Sequence, residues 1–338
     1  MRKVSYLIIF TSMNELNSPQ SPPNENPDEN QEKNDSDSLS EERGIKPRIS
    51  PIAAAFIGLI GGFLLYQIVG GILTLVIFGI NFESAPINSV RLMTMGGQIL
   101  FILLPALLFS KWFYEDVSRI LRIRVPAWQE FILFGIGIII LTPLLQYFIL
   151  VQNHFIEIWA ANSHFINSIK SALDSLNELV EKTYGDLLTA HNIGEAVLVI
   201  AVVAVVPAIC EETMFRGFIQ KSFELRIKPV WAALITAIFF GLYHFNPYGM
   251  IPLIILGFYF GFAAYKSNSI LIPMSLHFTN NFIAIMVYFI IGNQDLIDTT
   301  PDTNVDLNSA FLMIVLLTII MIGLIITIKK YYSKISLT

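Results

Sequence analysis

GEAVLVIAVVAVVPAICEETMFRGFIQK, residues 194–221, decides how this chain folds. Between Glu195 and Glu211 stand fifteen uncharged residues, Ala196–Cys210, almost all aliphatic. The apolar character then resumes through Met214, Phe215, Phe218 and Ile219 up to Lys221. A bilayer-spanning helix needs about 20 mostly apolar residues, and this stretch supplies them. Yet it carries Glu211, Glu212 and Arg216 within it. Charges inside a span are costly and tend to be functional.

The rest of the chain agrees with a membrane setting. Of 338 residues, 54% are hydrophobic, 12% aromatic and only 14% charged. Soluble domains carry about 25% charged residues. The class is therefore an all-α, polytopic transmembrane bundle. The formal net charge of −5 says little, because charge is segregated by segment, and nothing in it points to nucleic acid. Cys210 is the single cysteine, which excludes an internal disulfide and a cysteine-based metal cluster.

Hydropathy predicts eight spans, at roughly 51–80, 92–113, 128–151, 193–222, 230–246, 250–266, 270–292 and 309–328. Basic residues fall at every second connection. Arg43, Lys46 and Arg48 precede the first span; Lys111, Arg119, Arg122 and Arg124 follow the second. Lys221, Arg226 and Lys228 follow the fourth, Lys266 the sixth, and Lys329, Lys330 and Lys334 the eighth. Such residues mark the cytoplasmic side, so both termini are expected in the cytoplasm and the protein in the plasma (inner) membrane.

The organisation follows. Residues 1–50 are expected to be a disordered polar tail, rich in Asn, Pro, Ser, Asp and Glu after residue 13. Its first residues, MRKVSYLIIFTSM, make a poor signal peptide, and a start at Met13 would leave a plain polar tail. Residues 51–151 hold three spans, 193–292 the chemistry-bearing helices, and 293–338 an acidic outer loop, the last span and a basic tail. Residues 152–192 form a long outer segment. Ile166, Ile169, Leu173, Leu176 and Val180 recur there at helical spacing, which predicts an amphipathic helix over the outer face.

Of five histidines, His154, His164 and His191 fall in that outer segment and are given no chemistry. His244 and His277 fall inside predicted spans. At 1.5 Å per residue, Glu211 lies roughly 15 Å above Lys221 and His277 roughly 16 Å above Lys266. His244 lies at most roughly 22 Å above Pro229. Three polar sites on three helices thus reach similar depth, which points to one shared buried site.

Local spacing assigns parts. Glu212 and Arg216 are four apart, in the order that favours an ion pair. Read alone, that pair is equally helix glue. Glu211, about 100° round the helix, is left free as a general base. His277 and Asn281 are four apart and share a face, with Asn280 competing for the same role. Phe240 precedes His244 by four and is expected to pack under the imidazole. A lone intramembrane histidine also serves to bond a neighbouring helix. Cys210 reads as a core thiol. Gly257 and Gly261, in GFYFG, read as a helix-packing pair.

The series EETMFRG, FGLYH and HFTNN resembles the family of type II CAAX prenyl endopeptidases and bacteriocin-processing enzymes, also called the CPBP or Abi family, with its lysostaphin-resistance-type members. The resembling region is about 193–292. The resemblance implies an intramembrane endopeptidase whose site opens toward the cytoplasm. It implies Glu211, helped by His244, activating a water, with His277 and Asn281 stabilising the oxyanion and Glu212 and Arg216 bracing the site. No cofactor is expected. A zinc version on Glu211, His244 and His277 is the alternative, although no HExxH motif is present. A proton- or ion-coupled transporter and a non-catalytic partner-binding protein are the rival classes. The transporter lacks support from inverted repeats or matched broken helices. Expected partners are the lipid bilayer and a membrane-associated protein or peptide substrate. Nothing in the chain reads a prenyl group, so a CAAX protein, a leader peptide and a membrane regulator fit equally.

Overall fold

The computed structural model describes residues 45–79, 85–291 and 306–335. The described residues form helices and no strand, apart from an isolated bridge between Pro47 and Tyr114. Nine helices longer than one turn organise them: α1 (Pro51–Phe78), α2 (Ile87–Phe113), α3 (Trp128–Asn162), α4 (His164–Leu188), α5 (Ile193–Glu224), α6 (Pro229–Tyr243), α7 (Met250–Ser267), α8 (Leu271–Ile291) and α9 (Leu307–Ile335). Seven of them are long and apolar enough to cross a membrane. α4 is the amphipathic helix, and α6 is apolar but short.

Local chemistry sets the boundaries. Pro51 and Pro229 open α1 and α6, where a missing N–H costs nothing. Asn192 caps α5 by accepting from Glu195 N at 3.0 Å. Ser163 breaks α3 from α4 in an extended conformation and caps the second helix. Asn268 closes α7 in the left-handed conformation, with φ at 45°.

Several expectations need correction. The third helix does not stop near 151 but runs to Asn162 and into the outer segment. α6 ends at Tyr243, so His244 is its C-cap and not a mid-span residue. With 15 residues α6 is about 22 Å long, short of the roughly 30 Å hydrocarbon core. The predicted tail stops earlier than residue 50: Ile45 is buried, and Arg48 N donates to Phe113 O at 2.8 Å. Most of the expected tail and most of the acidic loop at 293–308 lie outside the described residues.

α4 is helical as expected, but its apolar stripe is split. Ile166, Leu173 and Val180 turn toward the protein, whereas Ile169 and Leu176 are exposed, together with Phe165 and Leu179. Lys170, Asp174 and Asn177 share the inner face. The helix is held by polar contacts, among them Lys170 Nζ to Glu157 of α3 at 3.0 Å.

Two cores fix the bundle. One joins α1, α2, α5 and α6 around Leu59, Phe218 and Phe240. The other joins α3, α7, α8 and α9 around Phe134, Phe260 and Ile328. The glycine pair does what its spacing predicts. A Cβ on Gly261 would stand 3.0 Å from Ala233 Cβ, so α7 approaches α6 closely there. That closeness lets two buried side chains of α5 reach α7 backbone. Arg216 Nη2 donates to Gly257 O at 3.2 Å, and Gln220 Nε2 to Gly261 O at 2.9 Å.

Candidate active site

The centre of the bundle contains a cavity of about 390 Å³. α1, α2, α4, α5 and α8 line it, together with the end of α6. Glu211, His244, His277 and Asn281 all face this one space. Glu212, Arg216 and Phe240 stand behind it and are fully or almost fully buried.

The wall is locally irregular where it matters. α1, α2 and α5 contain π-helical turns at Leu64–Val69, Ile99–Leu103, Ala201–Val205 and Thr213–Ile219. Each contributes to the lining, through Tyr66 and Gln67, Ile102, Val202 and Val203, and Met214 and Phe215 respectively. Such turns concentrate at functional sites because they re-aim side chains without ending the helix.

Behind the wall, Glu212 does more than neutralise Arg216. One oxygen, Oε1, accepts from Arg216 Nη1 at 2.8 Å and meets His277 Nδ1, also at 2.8 Å. The Arg216 guanidinium lies over the Phe240 ring, 4.2 Å from its centroid. The His277 ring stacks on Phe260 at 5.6 Å and meets the edge of Phe240 at 6.0 Å. Two aromatic rings and one carboxylate therefore fix both cation and imidazole.

His244 is fixed differently. Its Nδ1 lies 2.7 Å from Phe240 O, one turn back, and its ring meets the Phe240 ring at 4.7 Å. A carbonyl only accepts, so Nδ1 carries the proton and Nε2 is left as an acceptor. The same reasoning applies to His277 against ionised Glu212. Neutral His277 thus offers a lone pair at Nε2, and it donates there only as an imidazolium, with Glu212 as counter-charge. Asn281 spends one amide hydrogen on Val203 O at 2.8 Å and keeps the other. Asn280 instead faces Thr142 of α3.

Glu211 is the least committed of these groups. Its Oε2 is buried and has no hydrogen-bond partner among the described residues. Tyr66 of α1 and Tyr184 of α4 lie close enough to feel its charge. The Tyr184 ring is partly exposed, but its hydroxyl is deep. Burial first, then the Glu211 charge, push that hydroxyl above its ordinary pKa. Gln98 of α2 adds a buried Oε1, also without a partner among the described residues.

Sequence reasoning missed Tyr66, Gln98, Tyr184 and Phe260. Gln98 was detectable as a polar residue inside an apolar run. The aromatic residues carry no local signal, because their role depends on which helix packs against α5 and α8. Cys210 sits in the core, as its type suggests. His154, His164 and His191 are not among the lining residues.

A zinc ion on Glu211, His244 and His277 is the alternative that the sequence admits. Among the described residues, no three His, Cys, Asp or Glu side chains are grouped so as to hold a metal ion. The residues as placed do not fit that ligand set.

Residues 193–283 match the family model described as type II CAAX prenyl endopeptidase Rce1-like, the family that the three motifs resemble. No curated protein and no solved structure matches the chain. At the level of the family, the match supports an endopeptidase domain over this segment. Together with the seven apolar helices, it makes the chain an integral multi-pass membrane protein whose surroundings are lipid and whose substrate is, in general terms, a peptide.

Proposed function

We propose that this protein is an intramembrane endopeptidase in which Glu211 activates a water molecule for attack on a peptide bond. The observation that carries the reading is the free, buried Glu211 Oε2 in one cavity with His244, His277 and Asn281.

The steps balance without a further reactant. A water between Glu211 and His244 Nε2 gives a proton to the carboxylate as its oxygen attacks the scissile carbonyl carbon. Negative charge builds on the carbonyl oxygen. His277, as an imidazolium, and the second N–H of Asn281 donate to that oxygen. Fixed donors favour the transition state more than the ground state. Glu212 supplies the counter-charge that holds His277 in this role, and Arg216 shares it. The intermediate collapses, the C–N bond breaks, and the proton held by Glu211 passes to the leaving amine.

The basic helix ends are assigned to the cytoplasm, with both termini there and the protein in the plasma (inner) membrane. On that assignment α4 is outside, and the cavity lining reaches α4 rather than Lys111 or Lys221 at the basic ends. The substrate class is a membrane-associated peptide, either CAAX-like or a leader segment.

The test uses internally quenched peptides ending in Cys-aliphatic-aliphatic-X, with and without an S-farnesyl group, and an unprenylated leader-type peptide. Wild-type protein in proteoliposomes should cleave at least one of them, and Glu211→Gln should cleave none. Cleavage by folded Glu211→Gln at the wild-type rate would end this reading.

A further inference from the structure

The lining already explains Glu211 and His277. Phe240 orients the ring of His244, but His244 stands at the last turn of α6, and the loop after it is held by other contacts. Phe245 follows at φ 49°, a left-handed conformation that a bulky residue keeps only when its surroundings impose it. The next residues are tied down by one bond within the loop and by contacts from α3 and α4. Asn246 Oδ1 accepts from Gly249 N at 2.7 Å. Gln152 of α3 donates to Tyr248 O at 2.9 Å. The buried Tyr248 hydroxyl donates to Asp174 of α4.

We propose that Asp174 and Tyr248 are positioning residues for His244, so that α4 is a working part of the active site and not a cover over it. This inference rests on the endopeptidase reading above.

Asp174 is itself braced: Lys170 Nζ lies 2.9 Å from its Oδ2 and 3.0 Å from Glu157 of α3. Burial opposes ionisation of Asp174, but the hydrogen bonds from Tyr248 and Lys170 outweigh it and hold its carboxyl below the usual range. Burial and then the Asp174 contact raise the Tyr248 hydroxyl. Donor and acceptor roles are therefore fixed, with an ionised Asp174 accepting from a protonated Tyr248.

The far end of α4 is anchored as firmly. Arg91 of α2, fully buried, donates to the carbonyls of Leu187 at 3.1 Å, Asp186 at 3.4 Å and Thr189. Such cationic caps favour a helix C-terminus. Tyr184 and Leu187 of the same end line the cavity beside Glu211. One helix thus holds the loop of His244 through Asp174 and closes the cavity next to Glu211. Neither contact lies in the three motifs that carry the family resemblance.

The experiment compares Asp174→Ala, Asp174→Asn and Tyr248→Phe in the full-length protein, using a quenched peptide that the wild type cleaves. Misplacing a catalytic group can cost up to about 100-fold in rate. Asp174→Ala and Tyr248→Phe should each lower kcat about 10- to 100-fold with KM little changed. The double variant should be no worse than either single one. Asp174→Asn, which keeps an acceptor, should recover most of the rate, and Leu179→Ala on the exposed face should be silent.

Hydrogen exchange gives a readout apart from activity. Residues 244–249 should exchange faster in Tyr248→Phe, while those of α8 should not. Should Asp174→Ala fail to fold, Tyr248→Phe removes only a hydroxyl and carries the test. Unchanged kcat and unchanged exchange at 244–249, or a rise in KM alone, would overturn the inference. Activity in Glu211→Gln would instead overturn the endopeptidase reading, so the two failures are separable.

Discussion

His277 Nδ1 and Arg216 Nη1 converge on a single oxygen, Glu212 Oε1, each at 2.8 Å. The neighbouring acid, Glu211, has a free buried oxygen. Glu212 also keeps one buried oxygen, Oε2, without a partner among the described residues. What separates the two carboxylates is placement: Glu212 is ion-paired behind the wall, whereas Glu211 lines the cavity.

The first prediction follows from that contrast. Glu212→Ala leaves a fully buried Arg216 without its carboxylate and should cost about 3–5 kcal/mol of stability. Glu211→Gln removes no protein hydrogen bond at Oε2 and should change stability by no more than about 1 kcal/mol. Thermal unfolding of both variants in detergent checks this. Equal losses would mean that Glu211 is also structural.

The second concerns Gly257. A Cβ there would stand 3.0 Å from Phe240 Cδ1 and 3.1 Å from Arg216 Nη2. Gly257→Ala must push apart the ring that supports both histidines and the guanidinium that pairs with Glu212. It should destabilise by about 1–3 kcal/mol. It should also lower cleavage more than Gly323→Ala, where added bulk meets nothing. Melting temperatures and initial rates of the two variants decide it.

The third concerns metal. The described residues do not gather a three-donor group of His, Cys, Asp or Glu. Peptide cleavage should therefore survive dialysis against a strong zinc chelator, and zinc should not recover with the purified protein in stoichiometric amount. Loss of activity on chelation, restored by zinc, would mean that the donors regroup around an ion.

The fourth concerns topology. Ser175 is on the exposed face of α4, and the native Cys210 is buried. Ser175→Cys should react with a membrane-impermeant maleimide added to intact cells. Labelling only after the membrane is opened from the cytoplasmic side would reverse the orientation drawn from the basic helix ends.

Much of the fold was legible because bilayer helices announce themselves by length and apolarity. α1, α2 and α5 end within a few residues of their expected limits. Two boundaries misled for physical reasons. α3 continues past residue 151 because nothing breaks the helix until the extended Ser163. α6 stops before His244 because the chain must turn through Phe245 in the left-handed conformation.

The site was legible where two partners share a helix. Glu212 with Arg216, and Phe240 with His244, sit at four-residue spacing. It was illegible where partners come from distant helices. No spacing rule links Glu212 to His277, Asp174 to Tyr248, or Tyr184 to Glu211. The inner face of α4 was also hidden. Its apolar periodicity suggested a helix resting on its oily side, while polar pairs with α3 and the His244 loop set a rotation that turns only Ile166, Leu173 and Val180 of that stripe inward.

The most direct measurement maps the N-termini of membrane peptides in cells carrying either the wild type or Glu211→Gln, at equal expression and equal melting temperature. The account predicts at least one membrane-associated peptide whose new terminus appears with the wild type and whose uncut form accumulates with Glu211→Gln. Identical sets of termini, with Glu211→Gln folded and present in the membrane, would contradict it.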